Sequence, residues 1–241
     1  VEETYGEDPC LSADMGVTFV KNFERMGVIT TPKHFVANSG DGGRDSNPIH
    51  YTERFLEETH LVPFKACFQQ GGSQSVMTAY NMLDGTPCTA NSWLNIEKLR
   101  KEWGFDGFTI ADADAVGIIH KLHHTIGNWA EAGATAVNNG LDVIFQTTYE
   151  EHEPFLEACR SGLITEEALN RAVCQVLKAK FRLGLFDHPY MNESEADRWN
   201  ACAEHRALTR EAACRSMVLL KNENGLLPLS KNLKRIALIG Q

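Results

Sequence analysis

Short apolar runs alternate along this chain with stretches of helical period, and several of the runs stop at a polar side chain. Val28-Ile29-Thr30-Thr31 leads into Lys33 and His34, Val76-Met77-Thr78-Ala79 leads into Tyr80, and Gly107-Phe108-Thr109-Ile110-Ala111 ends on Asp112. Leu141-Asp142-Val143-Ile144-Phe145 is a fourth run of strand character. Residues 12–26 put Met15, Phe19, Val20 and Phe23 on one helical stripe; 52–69 and 91–102 read as helices, and 127–139 as a small-residue helix. Thr165 is the expected N-cap of a helix over 165–181, with Glu166 and Glu167 in the first turn, where the helix dipole favours anions. That helix is amphipathic through Leu169, Val173, Val176 and Leu177, a face expected to pack into the core.

Strand–helix alternation predicts an α/β fold with parallel strands and right-handed crossovers. Polar groups at the carboxyl ends of such strands describe the face of a β/α barrel on which its chemistry sits. Four strands are evident before the pattern stops near Leu185, whereas a closed barrel needs eight. The expectation is therefore a small open sheet or the back half of a barrel, over 1–186. Residues 187–203 are polar and read as a linker. From 204 to 216 a helix is predicted, then strands at 217–220 and at 235–240, the opening of a further α/β domain over 204–241. The chain reads as a piece of a longer polypeptide, cut at both ends.

Composition narrows the classes. At 241 residues, 43% hydrophobic and 23% charged, the chain can bury a full core. A net charge of −9 argues against nucleic acid as a partner, and no run approaches the roughly 20 apolar residues that span a bilayer, so no membrane association is expected. The seven cysteines are scattered, form no C-x-x-C pair, and are expected as free thiols. His120, His123 and His124 have helical spacing but no Cys, Asp or Glu nearby to complete a metal set, and the glycines at 40–43 match no phosphate-loop order. Neither a metal nor a cofactor is expected.

The chemistry concentrates on the strand ends. A carboxylate at the lip of a core loses hydration, so Asp112 invites a use: nucleophile, general base, metal ligand or cap of the following helix. Lys33 suits either a Schiff-base amine or a hydrogen-bond donor to a hydroxylated ligand, and adjacent His34 favours the donor, since two neighbouring donors match vicinal sugar hydroxyls. Arg44, in the glycine-rich loop, adds a forked donor. Tyr80 is either a structurally partnered hydroxyl or the group that holds the carboxylate in place.

Six motifs, in order, resemble glycoside hydrolase family 3, the exo-acting β-glucosidases and β-xylosidases. They are Glu3-Thr4-Tyr5-Gly6-Glu7-Asp8-Pro9, Lys33-His34-Phe35-Val36-Ala37-Asn38, Met77-Thr78-Ala79-Tyr80-Asn81, Gly85-Thr86-Pro87-Cys88-Thr89-Ala90-Asn91, Trp103-Gly104-Phe105-Asp106-Gly107-Phe108 through Asp112, and Val218-Leu219-Leu220-Lys221-Asn222 through Leu229. The resemblance implies the C-terminal part of a (β/α)8 barrel, a linker, and the first elements of an α/β sandwich domain. It implies Asp112 as catalytic nucleophile, Lys33, His34 and Arg44 as donors to the sugar in subsite −1, Tyr80 beside the nucleophile, and Met77 lining the same pocket. A sugar-gripping aspartate and an arginine are implied upstream of residue 1, and the general acid/base glutamate beyond residue 241. Ala111 and Ala113 depart from the serine and tryptophan that flank the nucleophile in many members, which opens the aglycone side. The small residue at 113 followed by Asp114-Ala115-Val116 is similar to the xylosidase branch, while 33–38 and Arg44 read as the glucosidase branch.

The implied reaction is retaining hydrolysis of a terminal β-linked monosaccharide through a glycosyl-enzyme ester on Asp112, its two carboxyl groups about 5 to 5.5 Å apart. A β-glucosidase is expected; the alternatives are a β-xylosidase/α-arabinofuranosidase, or an aldolase using Lys33. The partners expected are a small oligosaccharide or an aryl or alkyl glycoside and the remaining parts of the same polypeptide, with oligomerisation left open, and the isolated piece is expected to be inactive. The polysaccharide-derived substrates of similar enzymes suggest an extracellular or periplasmic location.

Overall fold

In the computed structural model, residues 3–39, 47–148 and 150–240 are described. The chain divides into two compact units, Val1–Pro189 and Tyr190–Gln241. Helix α1 (Pro9–Glu24) starts where the Asp8 carboxylate accepts from the N–H groups of Cys10 and Leu11 at 2.7 and 2.9 Å, with Pro9 fixing the first turn. Helices α2 (Glu53–Glu58) and α3 (Leu61–Ala66) divide the helix expected over 52–69, because Thr59 leaves helical geometry (φ −129°, ψ −80°). A widened turn, Cys67–Gly71, then leads to β1 (Ser75–Met77).

The hairpin β2 (Met82–Leu83) and β3 (Thr86–Pro87) turns on Asp84 and Gly85, both at positive φ, a turn signal that the sequence reading passed over. The helix at Trp93–Glu102 is of the wide, π type and feeds β4 (Phe108–Ile110). Helices α4 (Ala115–Lys121), α5 (Trp129–Asn138), α6 (Glu153–Arg160) and α7 (Glu166–Arg182) complete the first unit, α7 being capped by the Thr165 hydroxyl. Of these, α4 is the helix expected after Asp112, while α6 has no counterpart in the sequence pattern.

The sheet is parallel. β1 pairs with β4 in the register Ser75↔Phe108, Val76↔Thr109, Met77↔Ile110. Bridges Phe35↔Thr78 and Ile110↔Val143 add a segment on each side, so four segments follow one another in chain order. The first begins later than expected. Over 28–31 side chains take the ladder's place: Glu24 accepts from the Thr30 N–H and hydroxyl at 2.8 and 2.7 Å, and the Thr30 carbonyl accepts from the hydroxyls of Ser73 and Ser75. Ladder bonding starts with the Pro32 carbonyl and continues through Phe35. At Gly107 a Cβ would fall 2.2 Å from the Gln74 carbonyl oxygen, so only glycine allows this approach of β4 to β1.

Helices flank the sheet, with Phe35, Val76, Leu94 and Leu99 in one buried cluster and Val116, Ile119, Leu141 and Phe155 in another. The helices turn faces that differ from those expected. In α1, Ala13, Val17 and Val20 are buried while Met15, Phe19 and Phe23 are exposed; in α7, Ala168, Ala172 and Ala179 are buried while Leu169, Val173 and Leu177 are exposed. Close approach selects the small-residue face: a Cβ on Gly16 of α1 would sit 2.8 Å from the Cys67 sulfur.

Beneath the sheet, at the start of the fourth segment, the fully buried Asp142 carboxylate accepts from the guanidinium of Arg100, from Arg171 at 3.5 Å and from the Thr109 N–H at 2.8 Å. The second unit holds α8 (Glu193–Trp199), within the stretch expected as a linker, and α9 (Ala203–Ser216). Residues 217–220 and 235–240, expected as strands, belong to no ladder among the described residues; an apolar run becomes a strand only when a neighbour accepts its hydrogen bonds. Among the described residues no helix is long and apolar enough to cross a membrane.

Candidate active site

Because the four segments run parallel, their carboxyl ends share one edge of the sheet. That edge carries Lys33 and His34 from the first, Tyr80 from the second, Asp112 from the third and Phe145 to Thr147 from the fourth. His34 Nε2 lies 3.0 Å from Asp112 Oδ2, their side chains being 9% and 15% exposed. The other carboxylate oxygen, Oδ1, accepts the Ala113 N–H at 2.7 Å. The Tyr80 hydroxyl donates to the Ala113 carbonyl at 2.7 Å and stands near the carboxylate itself.

Burial pushes the Asp112 carboxyl upward, but the His34 contact, the Ala113 N–H and Tyr80 outweigh it and hold the group below the usual aspartate range. The result is a carboxylate that stays ionised and, among the described residues, is oriented by His34 on one oxygen and the Ala113 N–H on the other, with Tyr80 beside them. It does not cap the following helix. Helix α4 begins at Ala115 with Asp114 as its N-cap, and the Asp112 side chain turns to His34 and Ala113 instead.

The other described residues singled out from the sequence are dispersed around this pair. Lys33 is 41% exposed and its Nζ is paired with Glu3 at 3.2 Å, a wet and charged setting rather than the apolar enclosure that activates an amine nucleophile. Met77, half-buried, ends β1 in register with Ile110, two residues before Asp112. Arg44 lies outside the described residues. The His120 Nδ1 faces the Ile126 carbonyl at 3.0 Å, and burial lowers the pKa of His123. Among the described residues no group of three or more His, Cys, Asp or Glu could hold a metal ion. Sequence reasoning missed Asp114 and Thr147, which join the third segment's loop to the fourth's; an aspartate just before a helix gives only a capping signal.

Comparison with known proteins places this geometry in a family. A family model described as the glycosyl hydrolase family 3 N terminal domain matches residues 1–179. A β-xylosidase of Formosa agariphila is 35% identical over 257 residues, covering 100% of this chain and 35% of that protein. A periplasmic β-glucosidase of Salmonella typhimurium is 37% identical over 251 residues, covering 99% of this chain and 32% of that protein. The crystal structure of a β-glucosidase from Listeria innocua in complex with gluconolactone superposes with a TM-score of 0.85 at 33% identity, over 95% of this chain and 33% of that one. The chain thus spans about a third of the length of the relatives it matches.

Proposed function

The chain belongs to glycosyl hydrolase family 3, and on that footing we propose that it carries the nucleophile half of a retaining exo-glycosidase that releases a terminal β-linked monosaccharide. The observation that carries the reading is Asp112: an ionised carboxylate at a parallel strand end, oriented by His34 at 3.0 Å and by the Ala113 N–H at 2.7 Å. In the proposed reaction a carboxylate oxygen of Asp112 attacks the anomeric carbon while a carboxylic acid protonates the departing glycosidic oxygen. Water then attacks the same carbon, the acid now acting as base, and the sugar leaves with Asp112 restored. The acid/base is proposed to come from polypeptide beyond these residues. His34, Lys33, Arg44, Tyr80 and Met77 are proposed to surround the sugar, where hydrogen bonds that strengthen in the oxocarbenium-like state accelerate the chemistry.

In domain terms, 1–186 is proposed as part of a (β/α)8 barrel, 187–203 as a linker and 204–241 as the start of an α/β sandwich. Glucose is the proposed sugar. A xylose preference is the second reading, favoured by the methyl group of Ala113 at the position next to the nucleophile and by the β-xylosidase among the relatives.

The test is covalent trapping in the complete polypeptide that carries this chain. Treatment with 2-fluoro glycosides of glucose and xylose, followed by peptide mass spectrometry, is expected to put the label on Asp112. A label on any other residue overturns the assignment, and the faster of the two inactivators decides between the sugars.

A further inference from the structure

We infer that Asp114 is a positioning residue for Asp112, acting through the Ala113 peptide groups and anchored across the sheet by Thr147. The inference rests on Asp112 being the nucleophile.

Ala113 is the hinge of the site. Its N–H donates to Asp112 Oδ1 and its carbonyl accepts the Tyr80 hydroxyl, both at 2.7 Å, so the direction of its two flanking peptides sets how the carboxylate and the phenol stand to each other. Alanine has no side chain with which to fix that direction. The next residue does it. Asp114 sits in the left-handed region at φ 61°, ψ 5°, a conformation that costs an L residue about 1–2 kcal/mol unless local hydrogen bonds support it.

The support comes from the fourth segment. The Asp114 N–H donates to the Phe145 carbonyl at 2.9 Å, and its carboxylate accepts from the Thr147 N–H at 3.0 Å and from the Thr147 hydroxyl at 3.0 and 3.1 Å. A cap residue ordinarily gives its side chain to the helix; Asp114 stands at the N-cap of α4 and its side chain makes no cap bond. The carboxylate is diverted sideways, from the nucleophile's loop to its neighbour, and that diversion identifies its role. With the clasp open, the loop relaxes from the left-handed turn, the Ala113 N–H swings off Oδ1, and Asp112 loses both its orientation and one of the donors that favour its ionised form.

Charge and position predict opposite signs, which makes the inference testable. Among the described residues, the titratable groups facing Asp112 are His34 from the first segment and Tyr80 from the second. Lys33, paired to Glu3, flanks His34, and the fourth segment presents the uncharged Phe145, Gln146 and Thr147. Asp114 itself adds a like charge in the same loop. Removing that charge alone favours an ionised Asp112 and moves the acid limb of kcat/KM to lower pH; losing the Ala113 N–H moves it to higher pH.

The experiment uses the complete polypeptide with Asp114→Ala, Asp114→Asn and Thr147→Val, and measures the rate of inactivation by a 2-fluoro glycoside and the pH profile of kcat/KM, with Asp112→Asn as control. Asp114→Ala is expected to slow inactivation about 10- to 100-fold, the scale of a small misplacement of a reacting group, with the acid limb moved upward. Asp114→Asn, which keeps an acceptor for Thr147, is expected to recover to within a few-fold of the parent. Thr147→Val is expected to slow inactivation several-fold, and decides the matter if Asp114→Ala does not fold. An acid limb that stays or moves downward in Asp114→Ala, or a Thr147→Val enzyme equal to the parent where Asp114→Ala does not fold, overturns the clasp. If Asp112→Asn still hydrolyses glycosides, the nucleophile assignment itself fails; if Asp112→Asn is inactive while the Asp114 and Thr147 variants match the parent, only the clasp fails.

Discussion

Two aspartates on adjacent segments of the sheet have opposite surroundings. Asp142, at the start of its segment, is fully buried and held by Arg100, Arg171 and Thr109; burial pushes its carboxyl upward against the pull of the two guanidinium groups. Asp112, at the end of its segment, is partly open to solvent and held by a histidine and one peptide N–H, with its carboxyl drawn downward. The first has its acceptor sites taken by three neighbours and joins the 93–102 helix, β4 and α7; it holds elements together. The second is oriented at the open edge of the sheet rather than locked between helices. The same side chain is structural at the amino end of parallel strands and, in the function proposed, reactive at the carboxyl end, where the chemistry of such sheets sits.

The comparison breaks if the two residues respond alike. In the complete polypeptide, Asp112→Asn is expected to lower hydrolysis of an aryl glycoside on the order of 10⁴-fold with the melting temperature little changed. Asp142→Ala is expected to do the reverse: a loss of about 3 kcal/mol in urea unfolding, since it takes the carboxylate from two half-buried guanidinium groups, with near-parent turnover per folded molecule. The acid limb of kcat/KM is expected below the ordinary aspartate value of about 3.9, because the proposed nucleophile Asp112 attacks only when ionised and its folded pKa is depressed. The same depression gives folding stability that is present above the ordinary value and is lost as pH falls through the folded one.

A smaller effect is expected from Tyr80→Phe, which removes one hydrogen bond worth about 1 kcal/mol and so lowers kcat/KM about fivefold. In activity the smallest effect is expected from Thr109→Val, which keeps the N–H to Asp142 but removes the hydroxyl's bonds to the Gly140 carbonyl and to the Asp142 carboxylate and N–H. It is expected to cost about 1–3 kcal/mol in the same urea assay with no change in kcat/KM.

Much of the site could be read from residue order, because a polar side chain closing an apolar run marks a strand end: Asp112, His34 and Tyr80 were found this way, and the structure brings the three together. The alternation of strand and helix likewise anticipated parallel pairing. What escaped depends on contacts distant in sequence. Periodicity says which residues of α1 and α7 share a face but not which face packs: Ala13 and Val17 are buried rather than Phe19, where the Cys67 sulfur presses close on Gly16, and Ala168 and Ala172 rather than Leu177. The pairing of Lys33 with Glu3 joins residues whose proximity no local pattern encodes. The Asp142 network was hidden for the same reason, since Arg100 and Arg171 come from two different helices.

Gly107 gives this arrangement its vertical scale. Any side chain there must lever β4 away from Gln74, and the strand that would slip is the one that carries Asp112 five residues on. The height at which the carboxylate meets Tyr80 and His34 is thus determined by a missing methyl group at the opposite end of the strand. Damage at that floor would reach the far edge of the sheet as a tilt of the Asp112 carboxylate against its two neighbours.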